Sequence, residues 1–154
     1  MRKFIFGFLL LPSVFLFAQQ ETTMQALHVI DYTSDKKLEG LAHQLPQLAE
    51  MGINTLFLEV DYNFEFKSHP ELIENNEPIT LAGAQRFGEL CKKYNIRLIP
   101  QFQMIGHQSW AENTWAFLRK HPELDLAPGF NPKNDSLYCR EWDFTNPKVN
   151  NIIF

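Results

Sequence analysis

Apolar positions along the chain follow two different periods. Ala26 to Asp31 (ALHVID), Asn54 to Val60 (NTLFLEV) and Ile96 to Gln103 (IRLIPQFQ) are short, nearly continuous apolar runs, the pattern of strands buried on both faces. Between them, Asp35 to Met51 places Leu38, Leu41, Leu45, Leu48 and Met51 at helical spacing, and Gly52 ends the pattern. A second helix is predicted over Thr80 to Tyr94, with Leu81, Ala84, Phe87, Leu90 and Tyr94 turned inward. Pro147 opens a third, to Phe154, with Val149, Ile152 and Ile153 as its apolar face. That last pattern has no cap and no polar tail, so the chain is expected to be the first part of a longer domain.

Alternating strands and helices predict parallel βα units joined by right-handed crossovers. A doubly wound sheet and a (β/α)8 barrel share that unit. The turn after the first run, Asp31-Tyr32-Thr33-Ser34-Asp35, holds no glycine, which weakens a nucleotide-binding sheet. The ends of the runs are polar and aromatic: Asp31-Tyr32, Glu59-Val60-Asp61-Tyr62, and Gln101-Phe102-Gln103 leading to Ile105-Gly106-His107. A barrel gathers its chemistry at such strand ends. The expected fold is α/β, a partial (β/α)8 TIM barrel comprising about the first three βα units and the approach to the fourth strand.

The N-terminus has a separate pattern. Arg2 and Lys3 precede an apolar run from Phe4 to Phe17, and Ala18 meets Gln19, Gln20 and Glu21. A basic start, a short apolar stretch and a small residue at a polar boundary predict a secretory signal peptide over 1–18, then a short linker over 19–25. The run is shorter than the ~20 residues that span a bilayer. The expectation is an exported protein, periplasmic or extracellular, without a stable membrane anchor. Its catalytic portion would occupy 26–154.

Composition then limits the function. The whole chain carries 14 Lys+Arg against 18 Asp+Glu, a formal charge of −4, and loss of Arg2 and Lys3 would make it −6. Such a balance argues against nucleic acid as a partner. Fourteen Phe, three Trp and four Tyr suit a large core or a sugar-stacking cleft. Cys91 falls in a helical apolar pattern and reads as a buried free thiol rather than as a partner of Cys139.

Candidate chemistry sits at the strand ends. Alternation places Phe57, Glu59 and Asp61 on one side and Leu56, Leu58 and Val60 on the other. Two carboxylates beside an apolar strand must be paired, hydrogen-bonded or wet, so Asp61 and Glu59 are candidate site residues. Gln101 and Gln103 likewise share a side, and amides suit sugar hydroxyls because they both donate and accept. Among the five histidines, His43, His69 and His121 read as solvated or as local caps, and His28 as a possible core residue. None makes an HExxH spacing, so no metal and no cofactor is expected. His107 follows Gly106 just past a strand end, with Trp110 three residues on, and both are candidate substrate contacts.

Ile99-Pro100-Gln101-Phe102-Gln103-Met104-Ile105-Gly106-His107, followed by Trp110, resembles the IPE-x-x-x-PGH segment of family 20 glycoside hydrolases, the β-N-acetylhexosaminidases. Met51-Gly52-Ile53-Asn54-Thr55-Leu56 is similar to that family's second helix-to-strand passage, and Leu58-Glu59-Val60-Asp61 lies where it has its HLxD strand end. Ser68-His69-Pro70-Glu71-Leu72 and Asp143-Phe144-Thr145-Asn146-Pro147 resemble two further segments, so the likeness runs over 26–154. The segments look closest to the hexosaminidase D-like branch.

The resemblance implies a barrel that releases terminal non-reducing N-acetylhexosamine (GlcNAc or GalNAc) from glycans by substrate-assisted retaining hydrolysis. Asp61 would match the family Asp ending the second strand, His107 the His that organises the catalytic acid, and Trp110 a loop position lining that region. The catalytic Asp-Glu pair, which follows the fourth strand, is expected after Phe154, so this chain holds no catalytic residue. Three departures stand out: no Arg occurs in Gln25-Ala26-Leu27-His28, Gln101 replaces the family Glu, and Ile105 replaces the Pro before Gly-His. Two other readings remain open: an inactive barrel that binds sugar, and another secreted barrel glycosidase of chitinase-like type.

Overall fold

The computed structural model describes residues 23–110, 113–129 and 139–153. The leader read over 1–18 and most of the linker lie outside those residues, as does Phe154. Three strands, β1 (Ala26–Val29), β2 (Thr55–Glu59) and β3 (Arg97–Gln101), form a parallel sheet in the order β1-β2-β3. The register pairs Val29 with Leu58, and Glu59 with Gln101. Each strand lies beside the next in sequence, one βα unit on, as in a barrel wall.

One face of this sheet is covered by helices. Leu56 and Leu58 of β2 are buried against Leu38, Leu41, Leu45, Phe87 and Cys91 from α1 (Asp35–Ala42), α2 (Leu45–Glu50) and α3 (Leu81–Lys93). Val60 and Leu98 pack partly on the same cluster. The opposite face, bearing His28, Phe57, Glu59, Ile99 and Gln101, has no helix over it among the described residues. A doubly wound sheet would be covered on both faces. One-sided cover and consecutive strand order together make this a partial (β/α)8 barrel, with the bare face as the barrel interior.

The first predicted helix is two helices, not one. Pro46 has no N–H for the carbonyl of Ala42, and its ring would collide with that carbonyl in a continuous helix. The chain turns at His43–Gln44 instead, where Gln44 N–H donates to Leu41 O at 2.9 Å. Gly52, at φ +88°, then closes α2 in the left-handed conformation that glycine adopts without strain. α3 matches its predicted span, with Thr80 as its N-cap accepting from Gly83 N–H at 2.9 Å. Asp35 ties α1 to this cap: its carboxylate accepts from Thr80 N–H at 2.9 Å and Thr80 Oγ1–H at 2.7 Å. A Cβ at Gly83 would lie 1.8 Å from Asp35 Oδ1, so no larger residue fits there.

β3 ends two residues earlier than expected, at Gln101, which leaves Gln103 in the following loop. Gln101 O accepts from Val60 N–H at 2.9 Å, so the odd-numbered residues of β3 face β2. Pro100 therefore turns its missing N–H to the outer edge, where a strand tolerates proline.

A second layer lies beyond the strand ends. A short hairpin, β4 (Ser109–Trp110) and β5 (Asn113–Thr114), leads to α4 (Ala116–Lys120). None of these was anticipated from the sequence. α5 (Pro147–Ile153) closes the layer and buries Val149, close to its expected position. The tetrapeptide His-Pro-Glu-Leu occurs twice, at His69–Leu72 and His121–Leu124, and folds both times into a 3-10 turn that buries its leucine. Both turns rest against α4, and Leu72 and Leu124 join Tyr62, Phe117, Trp142 and Val149 in one cluster. No helix among the described residues is long and apolar enough to cross a membrane.

Candidate active site

The carboxyl ends of the parallel strands bring four of the six sequence-selected residues together. Glu59 and Gln101 are register partners on the bare face. Glu59 Oε2 lies 3.6 Å from His28 Nε2 on β1, so His28 is a half-exposed partner of a carboxylate and not a core residue. Two residues beyond Glu59, Asp61 adopts φ +42°, a left-handed conformation that Asp tolerates better than most residues. That twist lets Asp61 Oδ1 accept the backbone N–H of Gln103 at 2.7 Å. Gln103 is therefore fixed here through its main chain, where the sequence had pointed to its amide side chain.

Burial dominates the electrostatics of Asp61. Desolvation raises its carboxyl from the usual range to about 6, the Gln103 N–H opposes that rise, Glu59 adds to it and His28 reduces it. Its second oxygen, Oδ2, accepts from no group among the described residues. The arrangement is a partly desolvated carboxylate with one oxygen held and one open, suited to accept hydrogen bonds from hydroxyls.

His107 and Trp110 form a separate pair in the loop after β3. His107 has φ +56° and an exposed ring, and it stacks on Trp110 with 6.3 Å between centroids and 19° between planes. Trp110 belongs to β4, not to an open loop, and is 52% exposed. The backbone of His107 is pinned because its carbonyl accepts the Trp115 indole N–H at 2.8 Å. An exposed imidazole–indole stack on a fixed backbone offers a flat apolar surface with polar edges.

Gln108 escaped the sequence analysis. Fully buried, it lies between these two groups and accepts the Tyr62 hydroxyl at 2.5 Å. Nothing in its sequence context marks it, because its partners are as many as 46 positions away. Burial also drives the Tyr62 phenol well above its ordinary value, so it is a neutral donor. Farther back, the buried Arg140–Asp125 ion pair and the bond from Arg140 N–H to Ser109 Oγ at 2.8 Å hold the hairpin to the last described segment.

A separate cavity lies beside the sheet. It has a volume of about 600 Å3, and Leu58, Val60, Phe87, Leu98, Pro100 and Ile153 are among the residues lining it. Leu58, Val60, Leu98 and Pro100 face the helices, which puts much of the cavity on the outer side of the sheet, although Gln101 lines it too. Its apolar walls offer little to a sugar. Among the described residues no group of three or more His, Cys, Asp or Glu could hold a metal ion. Cys91 and Cys139 are both free thiols, and burial pushes Cys91 up to about 11.

No protein-family model matches the chain. No curated protein matches its sequence. Solved structures do match its fold. A chitobiase of Flavobacterium johnsoniae aligns with TM-score 0.62 and 19% identity, over 85% of this chain and 20% of its own. A noncanonic maltogenic α-amylase of Thermotoga neapolitana aligns with TM-score 0.55 and 17% identity, over 85% of this chain and 34% of its own. The chain thus spans about a fifth and a third of these two proteins. At such identities the likeness establishes the fold alone, that of part of a (β/α)8 barrel.

Proposed function

We propose that this chain is the N-terminal part of the catalytic barrel of an exported glycoside hydrolase that releases terminal N-acetylhexosamine from glycans. The observation that carries the reading is the Asp61 carboxylate, held at a strand's carboxyl end with one oxygen on Gln103 N–H and the other open. The likeness of the 99–107 segment to family 20 hydrolases supports the acetamido sugar as substrate. The fold shared with a chitobiase agrees with it.

In this reading the substrate's own acetamido oxygen attacks the anomeric carbon, and an oxazolinium ion forms as the leaving oxygen departs. A Glu from the expected Asp-Glu pair beyond Phe154 protonates that oxygen. The residues of this chain bind and orient. Asp61 and Glu59 accept sugar hydroxyls, Gln101 both donates and accepts, the Gln103 backbone fixes Asp61, and the His107–Trp110 stack lies against a pyranose face. Gln101, an amide where the family has Glu, favours a second reading: a sugar-binding barrel without turnover.

The test is the complete coding sequence, expressed and assayed with a chromogenic N-acetyl-β-glucosaminide. Asp61→Ala and His107→Ala should each lower kcat/KM by about ten- to a hundredfold with the fold intact, the worth of one hydrogen bond to a charged group. The 154-residue chain alone should give no turnover. Wild-type kinetics in both variants would remove these residues from the site. Tight sugar binding without hydrolysis would select the second reading.

A further inference from the structure

Two observations single out the amide of Gln108. It is fully buried and makes three hydrogen bonds, one to Tyr62 beyond β2 and two within the loop after β3. Its Nε2 donates to Gln103 O at 2.6 Å and to Gly106 O at 3.2 Å, and its Oε1 accepts from Tyr62 Oη–H at 2.5 Å. Two carbonyls can only accept, so they fix which end of the amide is nitrogen, and the Tyr62 hydroxyl must then donate.

Those contacts close a ring. Tyr62 follows Asp61 in the chain, Gln108 holds the Tyr62 hydroxyl, and its Nε2 holds the Gln103 carbonyl. The N–H of the same Gln103 residue is donated to Asp61. The third bond reaches the His107 side. Gly106 O belongs to the peptide about which the φ of His107 is measured, so holding that oxygen fixes the left-handed turn that presents the imidazole. The backbone of Gln108 is itself anchored at both ends, N–H to Arg140 O at 2.9 Å and O from Trp115 N–H at 2.9 Å.

We propose that Gln108 is a positioning residue that couples the Asp61 carboxylate to the His107–Trp110 stack, so that the two halves of the sugar-binding end are set by one buried amide. The coupling stands on the hydrogen-bond geometry; its use in glycan hydrolysis rests on the function proposed above. Gln108 touches no substrate in this scheme. It acts through the Gln103 and Gly106 peptides.

The experiment compares the full 154-residue chain with Gln108→Met, which keeps the volume and adds no charge, and Tyr62→Phe, which removes a single donor. Carboxyl and imidazole signals are followed by NMR across a pH titration, beside thermal melts. With the Gln103 carbonyl released, the backbone of that residue is no longer held, and Asp61 loses the N–H that favours its ionised form. Its midpoint should rise by about half a unit or more in Gln108→Met, and by less in Tyr62→Phe. The His107 ring protons, which lie near the Trp110 ring current, should change their chemical shifts in both variants. A variant that melts earlier yet keeps the Asp61 midpoint and the His107 signals at wild-type positions overturns the proposal. Should Gln108→Met not fold, Tyr62→Phe decides by the same two signals. In the complete enzyme, Gln108→Met should lower kcat more than it raises KM. Moved signals in a protein without turnover would leave the coupling standing and remove the hydrolase reading.

Discussion

Two buried clusters hold this molecule together, and they are built differently. The cluster under the sheet is apolar and periodic: Leu38, Leu41, Leu45, Leu56, Leu58, Phe87 and Cys91 come from helices and strands at regular spacing. The cluster beyond the strand ends takes Tyr62, Leu72, Phe117, Leu124, Trp142 and Val149 largely from turns and short elements. Buried polar groups bind this second one: Gln108 to Tyr62, Arg140 to Asp125, and Arg140 to Ser109. Apolar contact is non-directional, so a periodic pattern is enough to assemble regular elements. Irregular segments have no repeating backbone ladder, and directional bonds must specify their course. The candidate site is held by the second kind of construction.

The sharpest way to break that comparison is to cut a buried ion pair. Arg140 and Asp125 are 5% and 3% exposed, so Asp125→Ala takes a carboxylate away from a buried guanidinium. The expected loss is about 3–5 kcal/mol in urea unfolding. The double variant Asp125→Leu with Arg140→Met, which replaces both charges of the pair by apolar groups, should recover most of it. A loss under about 1 kcal/mol in Asp125→Ala would mean that the second cluster is held by apolar packing after all.

The matching change in the first cluster is Leu56→Ala. Leu56 is wholly buried in the middle of β2, and truncation leaves a cavity between sheet and helices. The expected cost is about 3 kcal/mol by urea unfolding, with Asp61 still near its wild-type midpoint in the folded protein. A shifted midpoint would show that the two clusters are not independent.

The same contrast explains what was legible in the sequence. Strands around Ala26, Leu56 and Leu98 follow from their nearly continuous apolar runs, although helices cover only one face of the sheet among the described residues, and the helix at Leu81–Lys93 follows from periodicity. The break at Pro46 was missed because five leucine and methionine positions ran through it in phase, although proline chemistry forbids the continuous helix. Asp61 and Glu59 stood out as charges in an apolar strand. The partner of Glu59, His28, lies 31 positions earlier, and one sequence carries no signal linking them. Gln108, Arg140 and Asp125 were invisible for that reason also. The paired His-Pro-Glu-Leu turns were open to reading and passed over, since a repeat of four residues lies far below the length of a structural repeat unit.

A change of pH tests whether the site strains against the fold that holds it. Asp61 has a folded value of about 6 against 3.8 for the free side chain, so the native state holds its proton to higher pH than the unfolded state does. Between those values the native protein binds more protons, and the Asp61 contribution to stability falls as pH rises through the window. Asp61→Asn removes this penalty while keeping a side-chain oxygen for Gln103 N–H, and Asn tolerates the left-handed backbone as Asp does. Relative to the wild type, the Asn variant should be equally stable near pH 3, pull ahead through pH 4 to 6, and keep that lead at pH 7. Urea unfolding of both proteins at those pH values gives the difference directly, because every other titrating group is common to both. The opposite trend, with the wild type gaining on the variant as pH rises, would mean that the Gln103 N–H and His28 outweigh burial. Asp61 would then be a structural carboxylate, and the construction beyond the strand ends would serve the fold and not a site.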